Sequence, residues 1–306
     1  MNINELRSMV EGSLLENEPM SKHTSYGIGG PASAYITPKD QDDLCRILQF
    51  AVKHDITVYF IGSGSNLLVS DDGINGIVIS PAKSLKKLEI EENSIVAESG
   101  VMLGKLVKES MKRNLTGLES LIGVPGTLGG ALVMNAGAFG GEISNYLISV
   151  DVMTSKGKLK SYKATDIDFS YRFSSFSTDE FILLARFELK FEDPNIISER
   201  RKIASSGRKT NQPLRFRSAG SVFKNPKDHA AGYLIDKVGL KGKRIGDAEI
   251  STHHANFFIN HGNASASDIT ELIRLARTAV LEKFDIELEL EIKTIGFEQD
   301  KVVAHG

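Results

Sequence analysis

The sequence predicts an α+β fold, and two observations lead to this prediction. Segments with the spacing of amphipathic helices and segments with the alternation of strands both occur along the 306 residues. They do not alternate in the long, regular strand–helix–strand units that build a doubly wound parallel sheet. The composition, 41% hydrophobic and 25% charged, is that of an ordinary globular chain. The length suggests two domains, although one long domain is possible.

The N-terminal two thirds of the chain mix short helices and short strands. Leu44, Ile47 and Leu48 give residues 41–55 helical spacing, whereas residues 181–193 alternate as a strand does. In order, the predicted elements are a helix over 1–17, a loop and short strand over 23–38, a helix over 41–55, a strand, turn and apolar run over 57–71, short strands up to residue 100, a helix over 101–114, strands over 147–162, a strand or loop over 169–176 and a strand over 181–193.

The pattern changes near Pro194, where we predict a domain boundary. A basic, helical segment follows over 197–212. The clearest helix is 264–284, which Ser265 or Ser267 can cap. Its predicted buried face consists of Ile269, Leu272, Ile273, Ala276 and Val280. Residues 286–296 alternate as a strand with one apolar face. The chain is thereby divided into an N-terminal extension over 1–20, domains over 21–193 and 194–299, and a tail over 300–306.

Composition excludes several classes of function. A formal net charge of −2 gives no field that would draw the chain to nucleic acid or to an anionic membrane. The single Cys45 excludes an intramolecular disulfide framework and a thiolate-only zinc site. His253, His254 and His261 lack a carboxylate or Cys to complete a metal set, so no metal is predicted. We find neither a signal peptide nor an apolar run of about 20 residues, and therefore expect a cytoplasmic protein.

Two glycine-rich stretches outside the standard nucleotide motifs are the first candidates for a site. They are GSGSN at 62–66 and GVPGTLGGALVMNAGAFGGE at 123–142, which holds seven glycines. Residues 27–32 formally fit the dinucleotide fingerprint, but no apolar strand precedes them and Pro31 interrupts the pattern. No P-loop sequence occurs. Successive backbone N–H groups in glycine turns can hold an anion. The residues alone therefore leave two alternatives open, a phosphate or cofactor cradle and a tight packing corner.

Seven motifs in a fixed order carry a family resemblance. They are IGSGSNLLVSD, GVPGTLGGALVMNAGAFGGE, YRFS, SAGSVFKNP, AGYLIDKVGLKG, HHANFFIN and LELEIKTIG. Over residues 20–297 the chain resembles the UDP-N-acetylenolpyruvoylglucosamine reductases (UDP-N-acetylmuramate dehydrogenases), flavoenzymes of bacterial peptidoglycan precursor synthesis. The short interval from YR to SAGS resembles the shorter of the family's two structural types. The resemblance implies an FAD-binding region of two α+β subdomains, of the vanillyl-alcohol-oxidase (PCMH) type, over 21–193. It also implies a C-terminal α+β substrate domain over 194–299.

The resemblance also implies the cofactors and the reaction. FAD would bind non-covalently, NADPH would be the co-substrate, and UDP-N-acetylglucosamine enolpyruvate would be reduced to UDP-N-acetylmuramate. We expect a monomer without nucleic-acid or membrane partners. The residues implied to bind FAD are Ile61, Gly62, Ser63, Gly64, Ser65, Asn66, Gly123, Pro125, Gly126, Thr127, Gly129, Gly130, Asn135 and Gly137.

Three residues match the family's catalytic positions. Ser221 matches the proton donor, and Arg172 matches the arginine that contacts the substrate carboxylate, for which a planar guanidinium is suited. Glu291 matches the catalytic glutamate. Alternation alone places Glu291 with Glu287 and Glu289 on a strand face that would ordinarily be solvated. If that end of the strand runs under the substrate domain, burial would raise the pKa of Glu291 so that it could be protonated and donate a hydrogen bond, unless Arg172 holds it ionised.

Five further residues are implied to lie near the substrate or the nicotinamide nucleotide: Tyr171, Lys224, Asn225, Tyr233 and Lys241. Residues 200–227 carry nine basic and no acidic side chains, which suits a pyrophosphate ligand, although a solvated helix face also explains Arg200 to Lys202. Arg217, before SAGS, stands where relatives often carry another residue. Two other functions stay open: a flavin oxidase acting on a small alcohol or hydroxy acid, and a nucleotide-sugar-binding protein without catalysis.

Overall fold

The chain forms two compact units, each built from segments that are distant in sequence. The computed structural model describes residues 1–297. Unit 1 comprises Met1–Glu16, Ala34–Ser63 and Gly76–Arg208, and unit 2 comprises Asn17–Ser33, Gly64–Asn75 and the chain from Lys209 onward.

Seven helices and twenty short strands are assigned within residues 1–297. The helices are α1 (Ile3–Met9), α2 (Gln41–Lys53), α3 (Leu103–Met111), α4 (Leu128–Val133), α5 (Pro194–Asn211), α6 (Ala231–Lys237) and α7 (Ala266–Phe284). The strands are β1 (Ser13–Pro19), β2 (Pro31–Thr37), β3 (Val58–Phe60), β4 (Leu67–Val69), β5 (Ile74–Ile79), β6 (Leu88–Glu91), β7 (Ser94–Glu98), β8 (Leu115–Thr116), β9 (Gly137–Ala138), β10 (Gly141–Glu142), β11 (Leu147–Thr154), β12 (Leu159–Lys163), β13 (Phe169–Ser170), β14 (Phe173–Ser174), β15 (Glu180–Glu188), β16 (Lys190–Phe191), β17 (Arg244–Ile245), β18 (Ala248–Ile250), β19 (Phe258–Asn260) and β20 (Lys293–Ile295).

Unit 1 contains two hydrophobic cores. A five-stranded antiparallel sheet in the order β12-β11-β15-β7-β6 supplies the first core, together with the buried faces of α3 and α4. The second core packs Leu44 and Leu48 of α2 against Ile77 of β5 and its neighbours. A four-stranded sheet has the order β1-β2-β5-β3, in which β3 and β5 run parallel. Two cores of mixed helix and sheet agree with the predicted pair of α+β subdomains.

Unit 2 has one core, organised around α7. Ser265 caps this helix in a capping box with Asp268, which confirms one of the two predicted caps. The carboxylate of Asp71 also accepts from the backbone N–H groups of Ala266 (2.8 Å) and Ser267 (3.0 Å). A three-stranded antiparallel sheet, β17-β18-β19, lies in the same core. The predicted buried face is confirmed, since Ile269, Leu272, Ile273, Ala276 and Val280 are all fully buried.

Two predicted elements are shorter than the sequence pattern indicated. The helix predicted over 1–17 ends at Met9, because the backbone N–H groups of Glu11 and Gly12 turn to the carboxylate of Asp43 instead. Of the strand predicted over 286–296, only β20 pairs in a ladder, and it runs parallel to β4. The residues before β20 alternate in burial as predicted, but they pair irregularly with the segment around Val222.

Helix α5 begins at Pro194, where the sequence pattern changes. Its residues up to Arg208 nevertheless group with unit 1, because Ile197 and Ala204 are buried and Arg200 donates to Thr116 Oγ1 at 3.0 Å. The predicted functional domains over 21–193 and 194–299 remain a prediction, and the compact units follow different limits.

Candidate active site

The glycine-rich stretch 123–142 is partly a packing corner of unit 1. The backbone of Gly126, Leu128 and Gly129 bonds to a neighbouring loop, with Gly129 N–H donating to Ser99 O at 2.9 Å. A Cβ on Gly129 would lie 3.1 Å from Ser99 Cβ, which is closer than normal contact. Thr127 is buried and caps α4 through its side chain. The fold itself therefore needs a small residue at position 129.

The second glycine turn meets the first within unit 1. A Cβ on Gly62 would lie 2.4 Å from Thr127 Oγ1, and Ser80 Oγ donates to Gly62 O at 2.9 Å. The unit limit falls inside this turn, between Ser63 and Gly64. In unit 2, Gly64 is packed against backbone, since a Cβ there would lie 1.9 Å from His23 O.

Gly130 differs from these glycines because the protein's own packing does not require it. It is exposed in α4, and a Cβ there would meet nothing closer than Thr127 Oγ1, at 3.7 Å. A glycine inside a helix costs about 0.5–1 kcal/mol relative to alanine. A surface kept free of side chains beside Gly62 and Thr127 fits a flat cofactor that approaches the backbone closely. Exposed Gly123 and Pro125 extend the same stretch.

Asn135 lies in the same glycine-rich stretch, just after α4. It is fully buried, and its Nδ2 donates to Glu142 Oε2 (2.9 Å) and to Ser170 O (3.1 Å). Its Oδ1 is buried and has no hydrogen-bond partner among residues 1–297. Gly137 pairs with Glu142 in the β9–β10 hairpin. The side chain of Asn135 therefore fixes two neighbouring hairpins, and its predicted contact with FAD stays a prediction.

Arg172 occupies the tip of the hairpin β13–β14. The register pairs Ser170 with Phe173, so Tyr171 and Arg172 form the two-residue loop. The backbone of Arg172 is left-handed, with φ 56°, a conformation that costs a residue with a Cβ of order 1–3 kcal/mol. Its Cζ lies 4.9 Å from the Tyr171 ring centroid.

Both strands of this hairpin are anchored to the C-terminal end of α4. Ser174 Oγ donates to Val133 O at 2.8 Å, and Asn135 Nδ2 donates to Ser170 O on the opposite strand. The glycine stretch thus positions the loop that carries Arg172.

Arg208 is a candidate that the sequence analysis counted only as one basic side chain among nine. Its Nε donates to Ile122 O at 3.0 Å, and its guanidinium lies over the Phe139 ring, 5.6 Å from the centroid. Burial, together with the positive charge of Arg172, lowers the pKa of Arg208. No carboxylate pairs with it among residues 1–297. A half-buried guanidinium beside a second arginine, without an acid, is suited to an anionic ligand.

The ring that supports Arg208 is itself held in an unusual turn. Phe139 and Gly140 form the loop of the β9–β10 hairpin, and both have positive φ, as a type I′ turn requires. Phe139 is 52% exposed. Gly207 allows its approach, because a Cβ there would lie 2.7 Å from Phe139 Cε1. Backbone strain of this kind clusters at functional sites, and here it holds an exposed aromatic ring against the Arg208 guanidinium.

In unit 2, the segment of Ser221 lies between two partners. Ser221 itself forms an antiparallel bridge with Phe257, and Val222 N–H donates to Asn256 O at 2.8 Å. On the other side, Glu291 N–H donates to Val222 O at 2.8 Å. The structure therefore brings Ser221 and Glu291 to adjoining positions of two hydrogen-bonded segments.

Glu291 is the least exposed of the three glutamates on its face. Glu287 and Glu289 are exposed, and Glu289 pairs with Lys224, whereas Glu291 is half-buried. Its carbonyl accepts from Asn66 Nδ2 at 3.0 Å. Alternation alone would place all three glutamates in solvent, but only Glu287 and Glu289 are exposed, and Glu291 is half-buried.

The remaining predicted substrate residues are distributed around α6. Asn225 Oδ1 accepts from Ala231 N at the start of this helix, 3.0 Å away. Tyr233 is 55% exposed, and Lys237 Nζ lies 5.5 Å from its ring centroid. Lys241 forms an ion pair with Asp236 at 3.0 Å.

His254 was assigned no function from the sequence, and the structure places it in this region of unit 2. Its Nδ1 accepts from Asn256 N–H at 3.2 Å, so the ring proton lies on Nε2. Burial, and to a lesser extent Lys241, lowers the pKa of His254.

Neither a metal centre nor a membrane segment is apparent in the part of the chain that the structure describes. Within residues 1–297, no three His, Cys, Asp or Glu side chains are grouped so as to hold a metal ion. No helix in that range combines the length and apolar character needed to cross a bilayer.

Comparison with known families defines the class of protein. Residues 32–162 match the FAD binding domain family. Residues 212–295 match the family described as UDP-N-acetylenolpyruvoylglucosamine reductase, C-terminal domain. A chain that joins these two domains is a flavin-dependent oxidoreductase.

Individual relatives show the particular family. The UDP-N-acetylenolpyruvoylglucosamine reductase of Clostridium tetani is 42% identical over 94% of this chain and 92% of its own length. That of Listeria welshimeri is 42% identical over 93% and 96%. The crystal structure of the Thermus caldophilus reductase superposes with a TM-score of 0.80 at 35% identity, covering 93% of this chain and 99% of that one. The chain belongs to the UDP-N-acetylenolpyruvoylglucosamine reductase family, and the predicted α+β fold is confirmed.

Proposed function

We propose that the chain reduces UDP-N-acetylglucosamine enolpyruvate to UDP-N-acetylmuramate, with NADPH as the source of electrons, in cytoplasmic peptidoglycan precursor synthesis. The observation that carries the proposal is the placement of Ser221 and Glu291 on adjoining hydrogen-bonded segments. Family membership supports the substrate, and the relatives above carry it in their names. The proposal that NADPH is the electron donor is based on the family resemblance. The monomeric state is also a proposal.

FAD, when bound, supplies the hydride that reaches the methylene carbon of the enolpyruvyl group. The residues proposed to hold it are those of the two glycine turns, of which Gly62 and Thr127 are in contact and Gly130 leaves the backbone open. These residues fit a cofactor that lies close against the chain.

Ser221 is proposed to give a proton to the carbon that bears the carboxylate. A serine hydroxyl is a weak acid, so it protonates only a strongly basic carbon and only when it is well positioned. The bridge to Phe257 and the bond from Val222 N–H to Asn256 O fix the backbone on which it stands.

Arg172 and Glu291 are proposed to stabilise the negative charge that develops on the substrate. The guanidinium of Arg172 binds the carboxylate, and its strained loop holds it ready before substrate arrives. Glu291, half-buried, acts as a hydrogen-bond donor to the enolate oxygen when it is protonated. Tyr171, Lys224, Asn225, Tyr233 and Lys241 are proposed to bind the substrate or the nicotinamide nucleotide.

The test separates the two half-reactions. The FAD-loaded enzyme is reduced anaerobically with NADPH, and reoxidation of the flavin is followed after addition of UDP-N-acetylglucosamine enolpyruvate. We expect Ser221→Ala to be reduced at the wild-type rate and reoxidised orders of magnitude more slowly. The matched control is Ser218→Ala in the same loop. Reoxidation of Ser221→Ala at the wild-type rate would remove the proton-donor role, and fast reaction with oxygen alone would favour an oxidase.

A further inference from the structure

Asn66 joins the glycine turn to the segment of Glu291. It is the last residue of the turn 61–66, and β4 begins directly after it. Its Nδ2 donates to Glu291 O at 3.0 Å, and its backbone carbonyl accepts from Lys293 N–H at 2.9 Å. One residue thus bonds to the chain on both sides of Ile292.

These bonds leave Glu291 no free backbone polar group. Its N–H donates to Val222 O and its carbonyl accepts from Asn66, so both peptide planes at Glu291 have a fixed partner. The next residue, Ile292, is 2% exposed and anchors the segment in the core of unit 2. The backbone from which the Glu291 side chain projects is therefore fixed, and one of the bonds that fix it comes from the side chain of Asn66.

We infer that Asn66 is a positioning residue for Glu291, an inference that rests on the proposed role of Glu291 in reducing the substrate. The amide of Asn66 holds the Glu291 carbonyl, and the turn that ends in Asn66 is the one proposed to bind FAD. Loading of the cofactor and placement of the carboxylate are thereby linked through one side chain.

A residue that only bound FAD would behave differently from a residue that positions Glu291. Weaker cofactor binding lowers the fraction of loaded enzyme, and a displaced flavin changes reduction and reoxidation together. A displaced Glu291 changes only reoxidation by the enolpyruvyl substrate, because reduction by NADPH makes no use of that carboxylate. Measurement on fully loaded enzyme therefore separates the two.

The experiment compares Asn66→Ala, Asn66→Asp, Glu291→Gln and the double variant Asn66→Ala/Glu291→Gln by stopped-flow absorbance at saturating FAD. Asn66→Asp keeps the size of the side chain but replaces the donor with an acceptor facing the Glu291 carbonyl. Lys293→Ala is the matched control, since its exposed side chain is removed while its backbone N–H to Asn66 is retained. The pH profile of the reoxidation rate is recorded for each variant.

We expect Asn66→Ala to be reduced by NADPH within about twofold of the wild-type rate and reoxidised at least about tenfold more slowly. The double variant should be no slower than Glu291→Gln alone. In the pH profile of the reoxidation rate, the limb that is due to Glu291 should disappear in Glu291→Gln. The same limb should shift along the pH axis in Asn66→Ala and stay unchanged in Lys293→Ala.

Three results would overturn the inference: reoxidation of Asn66→Ala at the wild-type rate, equal slowing of both half-reactions, or multiplication of the two effects in the double variant. If Asn66→Ala takes up no FAD, the two half-reactions are compared in Asn66→Asp instead. If both variants lose FAD, Asn66 is a cofactor contact and not a positioning residue for Glu291. Wild-type reoxidation of Glu291→Gln would overturn the proposed role of Glu291 itself.

Discussion

The side-chain amide of Asn256 closes both backbone hydrogen bonds of Phe223. Its Oδ1 accepts from Phe223 N–H at 2.9 Å, and its Nδ2 donates to Phe223 O at 2.8 Å. Asn256 is 2% exposed, so the amide replaces a neighbouring strand inside the core of unit 2. Ser221 stands two residues before Phe223, and its position therefore depends on this pair.

We expect Asn256→Ala to destabilise the protein by about 2–4 kcal/mol, because two buried backbone groups lose their partners. Urea unfolding measures this loss. Flavin reoxidation by the enolpyruvyl substrate should also slow in the protein that remains folded. The matched control is Asn263→Ala, whose exposed side chain should change stability by less than about 0.5 kcal/mol. Equal stability of Asn256→Ala and wild type would contradict the prediction.

Long-range bonds of this kind mark the limit of what the sequence could predict. The periodicity of α7 and its Ser265 cap were predictable, because helix spacing and caps are local properties. The glycine turns were recognisable as special, but their role was ambiguous. The structure shows that Gly129 is packed as in a corner and that Gly130 is open, and a cofactor role for Gly130 stays a prediction.

The pairing of Asn66 with Glu291 joins residues 225 positions apart, which no local pattern encodes. The same holds for Arg208, whose partners Ile122 and Phe139 come from distant turns. A run of basic residues predicts charge, but only the fold shows that, among residues 1–297, Arg208 has no carboxylate partner.

Asp43 should make the stability of unit 1 depend on pH. Burial alone would raise the pKa of Asp43, but the backbone N–H groups of Glu11, Lys39 and Gly12, together with Arg46, outweigh it and hold the pKa below its usual value. A carboxyl group whose pKa is lower when folded stabilises the protein above its unfolded pKa. That contribution is lost as the pH falls through the folded pKa.

Asp43→Asn should therefore cost roughly 2–4 kcal/mol at neutral pH, because the amide carries no charge and keeps only one acceptor oxygen, and its NH₂ group faces backbone N–H donors. The difference from wild type should begin to shrink as the pH falls below about 4, the ordinary pKa of Asp in the unfolded chain, and should vanish below the lower pKa of the folded state. Urea unfolding at a series of pH values measures both. The exposed neighbour provides the control, and Asp42→Asn should show neither effect. If the stability difference between Asp43→Asn and wild type stayed constant down to the pH at which the protein unfolds, the charge of the carboxylate would not be its source.

Replacement of Arg208 should weaken anion binding without weakening the fold. We expect Arg208→Met to unfold within about 1 kcal/mol of wild type, because the lost bond to Ile122 O is offset by removal of a half-buried charge beside Arg172. Affinity for UDP-N-acetylglucosamine enolpyruvate should fall by about tenfold or more, as expected for a charge-assisted contact.

Isothermal titration at several salt concentrations measures the binding effect of Arg208. The wild-type protein should lose affinity with salt more steeply than Arg208→Met, since one ionic contact is missing in the variant. Lys202→Met removes an exposed charge from the same helix and should match wild type. Marked destabilisation of Arg208→Met with unchanged affinity would show that Arg208 is a structural residue.

Alanine at Gly130 tests whether the glycine stretch serves the cofactor. A methyl group there meets only Thr127 Oγ1 at 3.7 Å, so the FAD-free protein should keep its stability or gain about 0.5–1 kcal/mol. The same substitution at Gly129 places a methyl group 3.1 Å from Ser99 Cβ, so crowding should offset the gain in helix propensity and leave Gly129→Ala less stable than Gly130→Ala. FAD affinity, measured by flavin fluorescence on the reconstituted protein, should fall for Gly130→Ala. Unchanged FAD affinity in Gly130→Ala would mean that the cofactor does not approach this turn, and Gly130 would then need another explanation.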